Sequence, residues 1–128
     1  MLDQIVQAIT TLRTELFRVS KKQYVTATTG AIANSLKPGV PFRLLGVDLS
    51  ISSAGTTDES FTLSFGSVKN AAYDRLLVTQ NTKTPAITAL HLSFGEEYEF
   101  LAGDKIDAAW PNTENRTYGL IWTWKPLI

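Results

Sequence analysis

The stretch FRLLGVDLSIS, residues 42–52, carries the clearest structural signal in this chain of 128 residues. Its residues alternate between the two faces of an extended backbone. One face carries Leu45, Val47, Leu49 and Ile51, and the other carries Leu44, Gly46, Asp48 and Ser50. A period of two over this length is typical of a strand that is half buried against a core. The pattern therefore predicts a long, half-buried strand whose apolar face contains Leu45.

The same alternation returns after each turn-forming cluster of the chain. Its positions are residues 24–29; Phe61, Leu63 and Phe65; residues 73–79; Leu90, Leu92 and Phe94; Tyr98 and Phe100; Ile106, Ala108 and Trp110; and residues 118–124. Short connections favour antiparallel pairing, since parallel strands need longer crossovers. The sequence predicts a mainly β fold of about eight strands, an antiparallel β-sandwich of the jelly-roll type, over residues 23–128.

Residues 1–22 follow a different period. The apolar residues of this segment, spaced by three and four, are Leu2, Ile5, Ile9, Leu12, Leu16 and Val19. Their spacing is the 3.5-residue period of a coiled-coil seam, and no Gly or Pro interrupts it. We predict one N-terminal amphipathic α-helix that precedes the sandwich. The narrow stripe favours an oligomerisation or anchoring element, while the alternative is a helix that lies across its own sandwich.

The charge balance and the absence of cysteine exclude several classes of function. Twelve basic and twelve acidic side chains cancel, so no net positive field is available to attract nucleic acid or an anionic membrane surface. Without cysteine there are no disulfides, thiolate metal ligands or thiol nucleophiles. We expect neither nucleic acid nor membrane among the partners, and no cofactor or metal.

Candidates for catalysis are few. The single histidine, His91, alternates with two leucines and is expected on the opposite face of its strand, and one imidazole cannot establish a catalytic triad. Acidic residues cluster at 96–99 and near Asp104 and Asp107, where a solvated turn and strand edge is a simpler interpretation than a pair of glycosidase carboxylates. No glycine-rich phosphate loop occurs. The sequence predicts no catalytic residue and a non-enzymatic protein.

Aromatic residues are concentrated near the C-terminus. Tyr118, Trp122 and Trp124 share one face of the predicted last strand, and Trp110 is close in sequence. Planar rings on a β-sandwich are typical of a sugar or partner platform. Leu120 lies in the same row, which favours the core side of the sandwich. The interpretations that stay open are core packing, a sugar platform and a subunit interface.

Residues 42–124 resemble small jelly-roll structural proteins of tailed bacteriophages, of the kind that decorate heads as cement proteins or attach fibres. The features that carry the resemblance are the strand FRLLGVDLSIS, the loop SAGTTDES, the strand FTLSF, the segment AAYDRLLVT and the segment FLAGDKIDAAWPNTENRTYGLIWTW. In the last segment, Gly103-Asp104 opens a strand, and Asn112, Tyr118 and Gly119 mark the return. The resemblance implies a jelly roll without an active site that belongs to a virion assembled in the host cytoplasm.

The resemblance also implies partners. We expect a capsid decoration protein that oligomerises and clamps neighbouring subunits of the major capsid protein, or another virion protein. The alternatives are a tail, neck or fibre adaptor and a carbohydrate-binding module on a receptor-binding appendage. The residue types in the seam conflict over the number of helices that associate: Leu2 before Ile5 favours three or more, whereas Ile9 before Leu12 favours two. The absence of a polar seam residue, and the threefold positions at which cement proteins commonly sit, favour a homotrimer.

Overall fold

The computed structural model describes residues 2–9, 20–95 and 98–127. Within these ranges the chain forms an N-terminal helix over residues 2–9, nine strands and a short 3-10 helix at Ala71–Tyr73. The strands are β1 (Lys21–Ala27), β2 (Ile32–Leu36), β3 (Phe42–Ile51), β4 (Ser60–Gly66), β5 (Arg75–Asn81), β6 (Ala89–Ser93), β7 (Glu99–Phe100), β8 (Lys105–Trp110) and β9 (Tyr118–Pro126).

The strands form two antiparallel sheets. The first sheet has the order β1-β9-β3-β6, with β7 also paired to β3, and the second sheet has the order β2-β8-β4-β5. Early strands pair with late ones, β1 with β9 and β2 with β8, which is the wrapped pairing of a jelly roll. The predicted antiparallel sandwich with one N-terminal helix is confirmed.

Strand β2 is missing from the set that the sequence predicts. Its ends, Ile32 and Leu36, are buried, but the inward position between them is Asn34. A polar residue there interrupts the apolar alternation, so the period of two does not reveal the strand. The Oδ1 atom of Asn34 accepts hydrogen bonds from Trp122 Nε1 at 2.7 Å and from Gln23 Nε2 at 3.2 Å, both on the first sheet. The Asn34 amide therefore ties the two sheets together.

A β-bulge in β3 reverses the predicted orientation of two leucines. The register of β3 against β9 shifts between Leu44 and Gly46, so Leu45 is the extra residue. Leu44 is consequently fully buried and Leu45 is half-buried, the opposite of the predicted arrangement. Beyond the bulge the predicted alternation is confirmed from Val47 onwards.

Two segment boundaries also differ from the prediction. Strand β1 begins at Lys21, so Lys21 and Lys22 belong to the sandwich, and the predicted boundary after residue 22 falls two residues late. Strand β5 begins at Arg75 instead of Tyr73, because Ala71–Tyr73 form a 3-10 helix. The side chain of Asn70 caps this helix by accepting a hydrogen bond from the Ala72 amide at 2.8 Å.

The core lies between the two sheets and is built by strand residues. Its largest fully buried side chains are Trp110, Trp122, Phe42, Phe61, Ile32, Leu36, Leu44, Leu49, Leu63, Ile106, Leu120 and Val47. All of them lie between residues 32 and 122, and none belongs to the described helix. The sandwich therefore encloses an apolar core without a contribution from residues 2–9.

The sandwich has two ends that differ in content. At the end where β1 begins lie the connections 37–41, 67–74 and 101–104, together with the end of β9. At the opposite end, which we call the distal end, lie the connections 28–31, 52–59, 82–88 and 111–117. The N-terminal segment thus leaves the sandwich at the end remote from the distal loops.

Candidate binding surfaces

The described part of the predicted seam is exposed. In the helix over residues 2–9, Leu2, Ile5 and Ile9 are 73%, 51% and 54% exposed, and they lie on one side of the helix because they are three and four residues apart. We call these three residues the N-terminal seam. The other seam residues of the prediction, Leu12, Leu16 and Val19, lie outside the described residues. In the described ranges no helix is long and apolar enough to cross a membrane.

The structure places most of the predicted aromatic platform inside the core. Trp122 is fully buried, Trp110 is 2% exposed and Tyr118 is 7% exposed. The rings of Trp110 and Tyr118 pack edge to face, with their centroids 6.3 Å apart. A sugar cannot stack on these rings, because stacking needs an open aromatic face. These three residues therefore form part of the core and not a sugar or partner platform.

Trp124, the fourth member of that set, is half-buried at the opposite end of β9 from Tyr118. Its ring packs edge to face against Phe42, with centroids 6.4 Å apart. The Nζ atom of Lys21 lies 5.8 Å from the Trp124 ring centroid, within the range of a cation–π contact. Trp124 thus packs between β3 and the start of β1, and it does not combine with the other three rings into one surface.

The outer surface of the first sheet carries two adjacent rows of side chains that differ in size. One row crosses β1, β9, β3 and β6 as Tyr24, Ile121, Asp48 and His91. The adjacent row crosses the same strands as Thr26, Gly119, Ser50 and Ala89. Cross-strand neighbours on one face lie about 5 Å apart. The first row therefore forms a ridge, and the second forms a trough along its side.

His91 lies on this ridge, on the face that the sequence predicts. It is exposed, whereas its neighbours Leu90 and Leu92 are half-buried. The Nδ1 atom of His91 contacts Oδ1 of Asp48, which is the residue opposite it on β3. This hydrogen bond holds the imidazole against the sheet and engages the only carboxylate of the ridge.

A cavity of about 340 Å³ lies along this row of small side chains. Its lining includes Tyr24, Thr26, Asp48, Ser50 and Gly119. A Cβ atom added at Gly119 would have no atom within 4 Å, so the missing side chain leaves the floor open. The volume lies within the range of small-molecule sites. We call this cavity the outer-face trough.

The outer-face trough cannot be predicted from the sequence alone. Its residues come from four strands that are distant along the chain, and only the pairing register brings them into adjacent rows. The available signal is the outward position of Gly119 between inward aromatic and apolar residues of β9. A glycine at such a position in a central strand is typical of a close approach by another group.

The described acidic residues act mainly in local structure. Asp104 is buried and accepts hydrogen bonds from the backbone amides of Leu101 and Val68, each at 2.8 Å. Glu99 pairs with Arg43 across the β3–β7 contact. Among the residues that the structure describes, no group of three or more His, Cys, Asp or Glu side chains is placed to hold a metal ion.

Two of the loops at the distal end, 52–59 and 111–117, are tied together through a carboxylate. Glu114 accepts hydrogen bonds from the Thr56 amide at 2.8 Å and from the Thr56 hydroxyl at 2.7 Å. Arg116 pairs with Glu114 and also contacts the Ser53 hydroxyl. Hydrogen bonds from the Thr56 and Thr57 hydroxyls, with smaller contributions from the Thr56 amide and Arg116, lower the pKa of Glu114 from 4.5 to about 2. Glu114 is thus held as a carboxylate in the folded protein.

A buried asparagine makes a second link between the distal loops. Asn112 is almost completely buried, and its Nδ2 atom donates to the carbonyl oxygens of Gly30 at 2.7 Å and Arg116 at 2.9 Å. Its backbone φ of 46° lies in the left-handed region, which asparagine tolerates better than most residues. The connections 28–31, 52–59 and 111–117 therefore form a hydrogen-bonded surface instead of three independent loops.

Comparison with known proteins finds a distant structural likeness and no sequence family. No family model matches the chain, and no curated protein matches it. The crystal structure of PirA is similar in fold, with a TM-score of 0.47 and 16% sequence identity over 81% of this chain and 92% of that one. A likeness at this level carries no argument about what this chain binds or does.

Proposed function

We propose that this chain is a non-enzymatic structural protein of a tailed-phage virion, a decoration or cement protein that oligomerises and clamps neighbouring capsid subunits. The jelly roll is the rigid body, and the N-terminal seam is the association element. The resemblance of residues 42–124 to phage jelly rolls supports the assignment to a phage virion. The mechanism is adhesion, since a protein that binds the assembled lattice but not free subunits lowers the free energy of the assembled state by mass action.

The exposed seam is the observation that carries the proposal. The sandwich core is closed without residues 2–9, so the seam is not needed to complete the fold. Burying a Leu or Ile side chain contributes roughly 1.5–3 kcal/mol, and Leu2, Ile5 and Ile9 are all more than half exposed. A 3.5-residue period is the geometry in which copies of one helix bury such residues against each other.

A homotrimer is the assembled form that we propose. The predicted seam from Leu2 to Val19 spans fewer than three heptads, which is short for helices that associate unaided in water. Contacts between the sandwiches therefore add to the helical contact. A trimer presents three rigid bodies at once, and this multivalency strengthens attachment to a lattice with threefold positions.

The direct test is to mix the purified protein with phage shells that lack it and to image the particles by cryo-electron microscopy. We expect stoichiometric density at fixed positions of the shell lattice. Density confined to tail, neck or fibre attachment points would assign the adaptor role instead. The absence of ordered density anywhere on the particle would contradict the proposal.

Two double variants assign the attachment to the seam. Ile5→Asp with Ile9→Asp puts two charges on the seam and should abolish shell binding, because buried unpaired carboxylates cost several kcal/mol. Gln4→Asp with Gln7→Asp makes the same change of charge on the opposite side of the helix and should bind as the unmodified protein does. If the seam variant Ile5→Asp with Ile9→Asp binds the shells as well as the unmodified protein does, the seam is not the attachment element.

A further inference from the structure

We infer that the outer-face trough binds a neutral pyranose sugar, with Tyr24 as the stacking surface. Tyr24 borders the cavity together with Gly119 and is 67% exposed, in contrast with the buried Trp110, Tyr118 and Trp122. An exposed aromatic face accepts the apolar C–H face of a sugar ring, and its phenol supplies a polar edge. The core rings of the sandwich cannot provide this surface, but Tyr24 can.

The polar groups of the lining match the hydroxyls of a sugar. Thr26 and Ser50 flank the Gly119 floor on either side, and each hydroxyl can both donate and accept a hydrogen bond. Asp48 and His91 border the same cavity and are already held in place by their mutual contact. An aromatic surface and several convergent polar groups over an open floor are the components of a small-molecule site.

The charges of the lining favour a neutral ligand. Asp48 and His91 are the only ionisable side chains besides Tyr24 among the lining residues that the structure describes, and they contact each other. The described lining residues include no lysine or arginine that could bind a phosphate or carboxylate. Asp48 is the single carboxylate among the described lining residues, which is fewer than the several oxygen ligands that a hard cation needs. A polyol with one apolar face is the ligand class that fits these groups.

The inference is independent of the proposed trimer. The trough lies on the outer face of β1, β9, β3 and β6, whereas the N-terminal seam belongs to residues 2–9. Variants of one surface should leave the other unchanged. Ile5→Asp with Ile9→Asp should still bind sugar, and a variant that fills the trough should still form the native oligomer.

The test is a titration of the full chain, labelled with ¹⁵N, with the methyl glycosides of glucose, galactose, mannose and N-acetylglucosamine. At least one of them should shift the backbone amide signals of Tyr24, Ser50, Ala89 and Gly119 in a saturable manner. The proposal is overturned if none of the four shifts these signals, or if a sugar shifts only signals elsewhere. It is also overturned if dilution without sugar shifts them, since that result would assign the trough to a second copy of the chain.

Two variants with matched controls locate the sugar. Gly119→Val fills the floor, where an added Cβ meets nothing within 4 Å, and it should abolish binding in a protein that circular dichroism shows to be folded. Gly95→Ala also adds a Cβ with nothing within 4 Å but lies outside the trough, so it should bind normally.

Tyr24→Ala removes the stacking surface and should weaken binding about tenfold. Tyr73→Ala is its control, since Tyr73 is 64% exposed and lies outside the trough. Normal binding by Tyr24→Ala or by Gly119→Val would contradict the inference.

Discussion

At the scale of single residues, Glu114 illustrates how a surface carboxylate holds two loops in one arrangement. It receives hydrogen bonds from the Thr56 amide and hydroxyl and pairs with Arg116 of its own loop, so the connections 52–59 and 111–117 meet on one side chain. Each of these donors favours the ionised form. The stability that Glu114 provides is therefore tied to its charge and depends on pH.

We predict that Glu114→Gln removes a pH-dependent part of the folding stability. The pKa of Glu114 is about 2 in the folded protein against an ordinary 4.5. The depressed value means that its contribution is fully present above about pH 4.5 and is lost as the pH falls towards 2. Urea unfolding at pH 7 and near pH 2.5 measures this difference. The stability gap between the two proteins should shrink at low pH, and a gap of equal size at both values would contradict the assignment.

A second prediction at this scale concerns the link between Asn34 and Trp122. Asn34→Ala leaves the buried indole N–H of Trp122 without the acceptor it has at 2.7 Å, and an unsatisfied buried donor costs about 1–3 kcal/mol. Asn34→Ala should lower the free energy of unfolding by less in a Trp122→Phe background, where no indole N–H is left unpaired. Denaturant unfolding of the four proteins gives the coupling energy. A coupling energy near zero would show that the bond does not connect the sheets energetically.

At the scale of elements, the sequence predicts a strand wherever its inward positions are all apolar. Strands β4, β8 and β9 meet this condition, and the predicted segments coincide with them closely. Strand β2 fails it because of Asn34, whose partners lie on another sheet. The bulge at Leu45 is likewise invisible, since it depends on how β3 aligns with β9. Alternation is a local property, whereas register and cross-sheet contacts are not.

The register explains why two glycines of the first sheet should respond differently to the same substitution. A Cβ at Gly46 would meet the Leu92 carbonyl oxygen at 3.0 Å, but a Cβ at Gly119 would meet nothing within 4 Å. Gly46→Ala should lower the free energy of unfolding by on the order of 1 kcal/mol. Gly119→Ala should raise it by about 0.5 kcal/mol, because glycine is unfavourable in a strand. Thermal unfolding measures both, and an equal effect of the two substitutions would contradict the described packing.

The candidate sites differ in how far local sequence reveals them. The seam is predicted from one continuous stretch of sequence, so its period can be read directly from residues 1–22. The outer-face trough depends on pairing among four strands, and the aromatic residues of β8 and β9 turn inward because of the sandwich they belong to. For this reason the sequence leaves a sugar platform open at Trp110, Tyr118, Trp122 and Trp124, whereas the exposed ring of the outer-face trough is Tyr24.

At the scale of the whole molecule, a closed jelly roll is combined with a helix whose apolar residues remain exposed. The core comes from residues 32–122, and the N-terminal segment leaves the sandwich at the end opposite to the distal loops. Such a molecule separates folding from association. The sandwich should fold in any variant of the seam, while assembly should be lost when the seam is charged.

The measurement that tests the central claim most directly is the mass of the protein in solution by light scattering, at micromolar concentration. We predict three times the chain mass of 14.1 kDa for the unmodified protein and for Gln4→Asp with Gln7→Asp. Ile5→Asp with Ile9→Asp should give a monomer whose circular dichroism keeps the strand signal of the sandwich. A monomeric unmodified protein, or a trimer that persists in the seam variant, would contradict the claim that the helix joins the copies.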